Sequence, residues 1–289
     1  MEAMRVPGYV TGQVRSADGT TVGYRQVGHG PGLIFLHGGM LAAQHLMELA
    51  GALSAEFTVH VPDRRGRGLS GPHGDDFGVV REVEDLQALV AATGATRVFG
   101  LSSGALVALR AALVTPAIDR LALYEPPLSL DGSVPLEWVP RYDREIATGR
   151  IGSALVTAMK GLGAEPVFGR VPRFVLVPLM AIGSRLQRDL PEDDVPIAEL
   201  IPTQHYDVRI ITEVADTVEE YATLPARVLL LGGTRSPAYF DGALKRLAAV
   251  LPQARSITLP GVGHSAPDDD PLVVARPLRD FFGSPAGAW

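Results

Sequence analysis

Residues 100–104 read Gly-Leu-Ser-Ser-Gly, a G-x-S-x-G pattern centred on Ser102. The apolar run TRVFGLSS (96–103) leads into it, and GALVALRAALVTP (104–116), apolar at helical spacing, leaves it. A strand that turns this sharply into a helix strains its central residue, and flanking glycines remove the side chains that would collide there. The hydroxyl then stands exposed at a helix N-terminus, where developing negative charge is favoured. The plainer alternative is a Gly-Ser turn that starts a helix at Ser103. A serine needs a base before it attacks anything. Of seven histidines, His264 is the choice, in the glycine-rich LPGVGHSAPDDDP after the last apolar run. His37, in HGG at the end of another apolar run, reads as a loop brace, and His205 as a residue able to touch substrate. His29, His45, His60 and His73 carry no supporting pattern, and no histidine pair has metal-ligand spacing. An oxyanion is best held by backbone N–H groups fixed before charge develops. Ser103 supplies one, and Gly38 or Gly39 the other.

Positioning these groups requires a sheet. GLIFLHGG (32–39), FTVHVPD (57–63), TRVFGLSS, RLALYEPP (120–127), ARVLLLGG (226–233) and ARSITLPG (254–261) read as strands, most of them apolar on both faces as in the middle of a parallel sheet. Helical patterns at 41–53, 79–94, 104–116 and 240–252 alternate with them, which predicts right-handed βαβ crossovers. Residues 9–28 alternate around ADGT and predict an antiparallel hairpin. The predicted fold is α/β: a mostly parallel sheet of about eight strands flanked by helices. Residues 1–127 and 225–289 form the core, and 128–224, helical and rich in proline, form an inserted lid.

The chain has 289 residues, a net charge of −6 and no cysteine. Disulfides, zinc-thiolate sites and thiol nucleophiles are excluded, and the charge argues against a nucleic-acid partner. Neither a signal peptide nor a membrane span is legible, so a cytoplasmic protein without membrane association is the expectation.

LIFLHGG, PDRRGRGLSG (62–71), GLSSGAL and LPGVGHS, in that order, resemble the α/β-hydrolase superfamily over nearly the whole chain. The resemblance implies a Ser–acid–His triad and a lid after the sixth strand. One departure is plain. Most members carry an aspartate just after the seventh strand, where this chain has Thr234, Arg235 and Ser236. Some members, including lactone hydrolases acting on zearalenone, place the acid after strand six, which is the place of Glu125. Glu125 as triad acid is therefore the first reading. A structural glutamate, or Asp241 acting from the next helix, are the alternatives.

The resulting expectation is a serine hydrolase of an ester or lactone of a medium-sized, fairly hydrophobic small molecule, needing no cofactor and no metal. Met40, Leu41, Leu128, Trp138, Met159, Phe174, Met180 and Tyr206 are the expected substrate contacts, with Phe168 beside them in the lid. A C–C hydrolase or lyase on the same triad, or a ligand-binding protein without turnover, are the alternative functions. An exposed apolar lid would allow a homodimer. Gly66–Gly71 matches G-x-G-x-x-G, but Pro72, His73 and Gly74 follow it instead of a helix, so it reads as a turn. The acidic runs 192–194 and 268–270 read as solvated loops.

Overall fold

The computed structural model describes residues 8–163, 171–186, 190–251 and 253–285. Phe168 lies outside them. Eight strands form one sheet in the order β1-β2-β4-β3-β5-β6-β7-β8. They are β1 (Val10–Arg15), β2 (Thr21–Gly28), β3 (Gly32–Leu36), β4 (Thr58–Pro62), β5 (Arg97–Leu101), β6 (Arg120–Tyr124), β7 (Arg227–Gly233) and β8 (Arg255–Leu259). β1 pairs antiparallel with β2, and β2 with β4; the remaining pairs are parallel. Alternate residues of the parallel strands enter two separate cores. Ile34, Val98, Leu121 and Leu230 face one side, and Leu33, Phe99, Ala122 and Leu229 the other. Burial on both faces is why these strands lack polar alternation.

The first core is covered by α2 (Val79–Thr93), α3 (Ser103–Val114) and α9 (Ala238–Val250), the second by α1 (Met47–Leu53) and α11 (Pro271–Gly283). In α2 the residues Val79, Val83, Leu86 and Val90 repeat at helical spacing and are buried, and Gly94 ends the helix at φ 67° with its N–H on Val90 O. α11 has no counterpart among the helices read from sequence. Its interior Pro277 interrupts the pattern, yet Val274, Leu278, Phe281 and Phe282 form a buried stripe.

Between β6 and β7 the described residues contain no strand. Instead come α4 (Val139–Ala147), α5 (Ile151–Leu162), α6 (Arg173–Leu186), α7 (Ile197–Leu200) and α8 (Gln204–Glu213). This helical insertion has a core of its own, built on Trp138, Tyr142, Ala154, Leu155, Ala158 and Ile201. α8 also packs on α2 and α3, joining insertion and sheet.

The acidic runs are not simply solvated. Arg25, reaching from β2, pairs with Asp194 at 2.8 Å and donates to Asp193 O at 2.5 Å. Asp268 and Asp269 belong to a short helix, α10 (Ala266–Asp269), and Asp270 precedes α11. Burial, with Asp269 and Glu48 nearby, pushes the Asp268 carboxyl up to about 7 from an ordinary 3.8. An acid with a raised folded-state pKa costs nothing where both states are protonated; its cost grows as pH rises past 4 and is complete above about 7. Asp268→Asn is therefore expected to stabilise the protein by roughly 1–3 kcal/mol at pH 8 and by little at pH 4. Urea denaturation at both values checks this, and an equal gain at each would refute it.

Among the described residues, no helix is long and apolar enough to cross a membrane, and no group of three or more His, Asp or Glu is placed to hold a metal ion.

Candidate active site

Ser102 sits between the end of β5 and the start of α3 with φ 55° and ψ −124°. Its N–H donates to Tyr124 O at 2.9 Å, which anchors the turn to β6. Glycine is required on both sides. A Cβ on Gly100 would lie 2.5 Å from Ala105 Cα, and one on Gly104 2.5 Å from His37 O.

The chain leaves β3 through His37, Gly38 and Gly39. Buried His37 donates from Nδ1 to Gly38 O at 2.9 Å and accepts the Arg64 N–H at Nε2, 3.1 Å away, so it braces the loop. Burial, with Arg67 and Arg64 close by, holds its pKa well below the usual histidine range, so the ring is neutral. Gly39 and Ser103 line a cavity of about 260 Å³ that also contains Ser102 and His264. Gly38 does not line it. That residue lies under Ser102, where a Cβ would come within 2.9 Å of the serine Cβ. Of the two glycines, Gly39 is the one that lines the cavity.

Glu125 follows β6 and is 1% exposed. Its φ of 47° turns the chain sharply while its N–H still reaches Leu231 O at 3.0 Å. One carboxylate oxygen accepts the Gly233 N–H at 2.6 Å; the other meets His264 Nδ1 at 2.7 Å. Tyr124 OH donates to Gly263 O at 2.6 Å, fastening the histidine loop to the same strand. Phe240 stacks on the imidazole, with centroids 4.3 Å apart. Glycine at 232 and 233 serves other neighbours: a Cβ on Gly232 would fall 2.7 Å from Leu244 Cδ1, and one on Gly233 2.4 Å from Val262 O on the histidine loop. Asp241 is exposed, ion-paired to Lys245 at 2.6 Å, and absent from the cavity lining. Met40, at φ 54°, joins Ser102 and Glu125 as a third site residue with positive φ. Such conformations cost on the order of 1–3 kcal/mol each and persist where surrounding structure enforces them.

With Nδ1 placed on a carboxylate, Nε2 is the ring nitrogen of His264 left for taking a serine proton. A model of the alpha/beta hydrolase family matches residues 33–276. The chain belongs to the α/β hydrolase family. It is 29% identical over 242 residues to the pimeloyl-(acyl-carrier protein) methyl ester esterase of Xanthomonas campestris pv. campestris (strain B100), covering 83% of this chain and 90% of that one. An alpha/beta hydrolase from Sphaerobacter thermophilus DSM 20745 superposes with a TM-score of 0.76 and 31% identity, over 94% of this chain and 100% of that one. The enol-lactonase of Burkholderia xenovorans LB400 shares the fold at a TM-score of 0.69 and 20% identity, over 94% of this chain and 100% of the other.

In this α/β hydrolase the cavity wall is partly as expected: Met40, Leu41 and Met159 line it. The other expected contacts lie elsewhere. Leu128 is fully buried in the core beneath the sheet, and Trp138 packs into the insertion's own core against Gly161. Met180 joins that same core, and Phe174 is 79% exposed on α6. Tyr206 stacks on His73, a neutral imidazole whose pKa burial and Arg67 push down to about 3. Their centroids are 3.4 Å apart. His205 is on the outer surface beside Asp143.

The Gly66–Gly71 run is a turn, with Gly66 and Gly68 at positive φ. Asp63 accepts the Ala43 and Leu69 N–H groups across it at 2.8 and 3.0 Å. Arg64, just before the run, and Arg67, within it, are buried and do more than fix the loop; their pairing with the insertion is what sequence reasoning missed. Buried Asp207, from α8, accepts Arg64 Nη1 at 2.8 Å, Arg67 Nη2 at 2.5 Å and Ser103 Oγ at 2.7 Å. Burial opposes its charge, but Arg67 and Arg64 hold the carboxyl below its usual range. Arg64 grips Glu82 through two further bonds of 2.8 and 2.9 Å. The insertion is thus clamped to the residue beside the candidate nucleophile.

Proposed function

We propose that this protein hydrolyses carboxylic esters, lactones included, through an acyl-enzyme on Ser102. Ser102 Oγ attacks the carbonyl carbon while His264 Nε2 takes its proton, and Glu125 holds the imidazole and offsets its positive charge. Backbone N–H groups of Gly39 and Ser103 receive the oxyanion. His264 then protonates the departing alkoxide, and a water, deprotonated by the same imidazole, releases the acid and restores the serine. The observation that carries this reading is the 2.7 Å bond between His264 and buried Glu125 on the cavity that holds Ser102. Family membership and the esterase relative support it. The wall is largely apolar, with Leu155, Leu162, Ile197 and Ile211 joining the residues above, which favours a hydrophobic acyl or alcohol group of modest size. Residues 128–224 act as its cap, over a core of 1–127 and 225–289. A binding protein without turnover drew its support from the missing aspartate after β7, and the contact of Glu125 with His264 supports the enzyme reading over it.

A fluorophosphonate is expected to label Ser102 in the wild type and not in Ser102→Ala, and the wild type is expected to hydrolyse p-nitrophenyl hexanoate. Absence of both labelling and turnover would overturn the reading.

A further inference from the structure

Five polar side chains besides the proposed triad line the cavity: Ser103, Gln204, Asp207, Tyr239 and Ser265. Four are already committed. Asp207 accepts three charged or hydroxyl donors, and Ser103 spends its proton on it while accepting from Arg64. Tyr239 OH donates to Leu162 O at 3.0 Å, and Ser265 Oγ to Asp269 at 2.5 Å. Gln204 differs. The residue is 3% exposed, and its Oε1 has no hydrogen-bond partner among the described residues. It stands directly over the oxyanion loop, where a Cβ on Gly39 would fall 2.4 Å from that oxygen.

An amide oxygen buried without a donor costs about 1–3 kcal/mol, and the Asp207 carboxylate that shares its place over Gly39 has no proton to offer, so its retention calls for a partner that arrives with the substrate. We propose that Gln204 is a specificity residue that accepts a hydrogen bond from the substrate's acyl portion. Because the oxygen sits against Gly39, the donor it meets lies close to the reacting carbonyl, on the adjacent carbon. The favoured substrates are then esters of 2-hydroxy or 2-acylamino acids, whose shared feature is an O–H or N–H at that carbon. The glycine at position 39 follows from the same geometry, since any side chain there would occupy the place of the Gln204 oxygen. This inference rests on the ester-hydrolase reading and refines it.

The test uses p-nitrophenyl esters of one carbon skeleton: hexanoate, 2-hydroxyhexanoate and 2-acetamidohexanoate. Intrinsic reactivity differs among them, so the quantity read is the ratio of kcat/KM for each donor ester to that for hexanoate, compared between wild type and Gln204→Leu. That ratio is expected to fall about tenfold in the variant, the effect of one lost hydrogen bond. A fall for only one donor ester would identify hydroxyl or amide as the group recognised. Gln204→Met repeats the comparison with a flexible side chain, guarding against a packing effect of leucine. Ratios unchanged within twofold, or equal loss on all three esters in both variants, would overturn the proposal and leave Gln204 as a structural or water-holding residue. Failure of the wild type on every ester would instead remove the ester-hydrolase reading, and this one with it.

Discussion

Glu125→Gln is expected to lower kcat for ester hydrolysis by about 10⁴, or roughly 5.5 kcal/mol of transition-state stabilisation, while leaving the protein folded. The variant keeps its size and one of its two bonds. The glutamine carbonyl still accepts the Gly233 N–H, which now lies 2.6 Å from Glu125 Oε1. That bond turns the amide NH₂ toward His264 Nδ1, in the place of the oxygen that today sits 2.7 Å away. Facing a donor, Nδ1 must become an acceptor, and the ring proton moves to Nε2. An imidazole protonated at Nε2 cannot take the Ser102 proton, and no carboxylate remains to stabilise the imidazolium. Glu125→Asp separates charge from reach. It keeps the carboxylate but withdraws it by one methylene, and a misplacement of about 1 Å costs on the order of 10². Steady-state kinetics and the rate of fluorophosphonate labelling measure both variants. Retention of more than a tenth of the wild-type rate by Glu125→Gln would remove it from the triad.

How far these residues were legible in the sequence follows from how local their determinants are. Ser102 is marked by a five-residue turn, and the reason for each glycine is steric and near at hand. β3 to β7 announce themselves because burial on both faces leaves unbroken apolar runs. Glu125 was legible only through the family resemblance: Thr234, Arg235 and Ser236 supply no carboxylate where most members carry one, and some members place it after strand six, where Glu125 stands. Gly233, whose N–H binds the Glu125 carboxylate, is a signal that reads only in hindsight, since a glycine pair after a strand is usually just a turn. Asp207 and Gln204 had no local mark. Their roles arise when α8 lands on α3, bringing Asp207 to Ser103 across 104 residues of chain. Size and hydrophobicity were also poor guides to the cavity wall. Trp138 and Met180 are large and apolar because the insertion needs a core of its own, and Tyr206 because it stacks on His73.

The largest expected effect on stability lies at the clamp between insertion and elbow. Two guanidiniums, Arg64 and Arg67, face two carboxylates, Glu82 and Asp207, and all four residues are 3% exposed or less. The cluster is neutral as a whole, and each carboxylate oxygen of Asp207 has at least one charged donor. Asp207→Leu removes one negative charge and leaves two guanidiniums facing the single carboxylate of Glu82 in a space closed to water. Breaking a buried pair from one side in this way costs about 3–5 kcal/mol, a large fraction of the stability of an ordinary domain. Adding Arg67→Leu removes further hydrogen bonds, including the one to Thr203 at 3.1 Å, yet it restores neutrality by leaving only Arg64 with Glu82. If charge balance governs the clamp, the double variant is more stable than Asp207→Leu alone by at least about 1 kcal/mol, since the uncompensated guanidinium has gone. If hydrogen-bond number governs it, the double variant is the less stable of the two. Urea unfolding followed by far-UV circular dichroism decides between these orders. Ser103 loses its carboxylate acceptor in both variants, so the labelling rate of Ser102 should fall alike in the two even where their stabilities differ. That divergence would separate the clamp's part in holding the fold from its part in positioning Ser103, whose N–H is the proposed oxyanion donor.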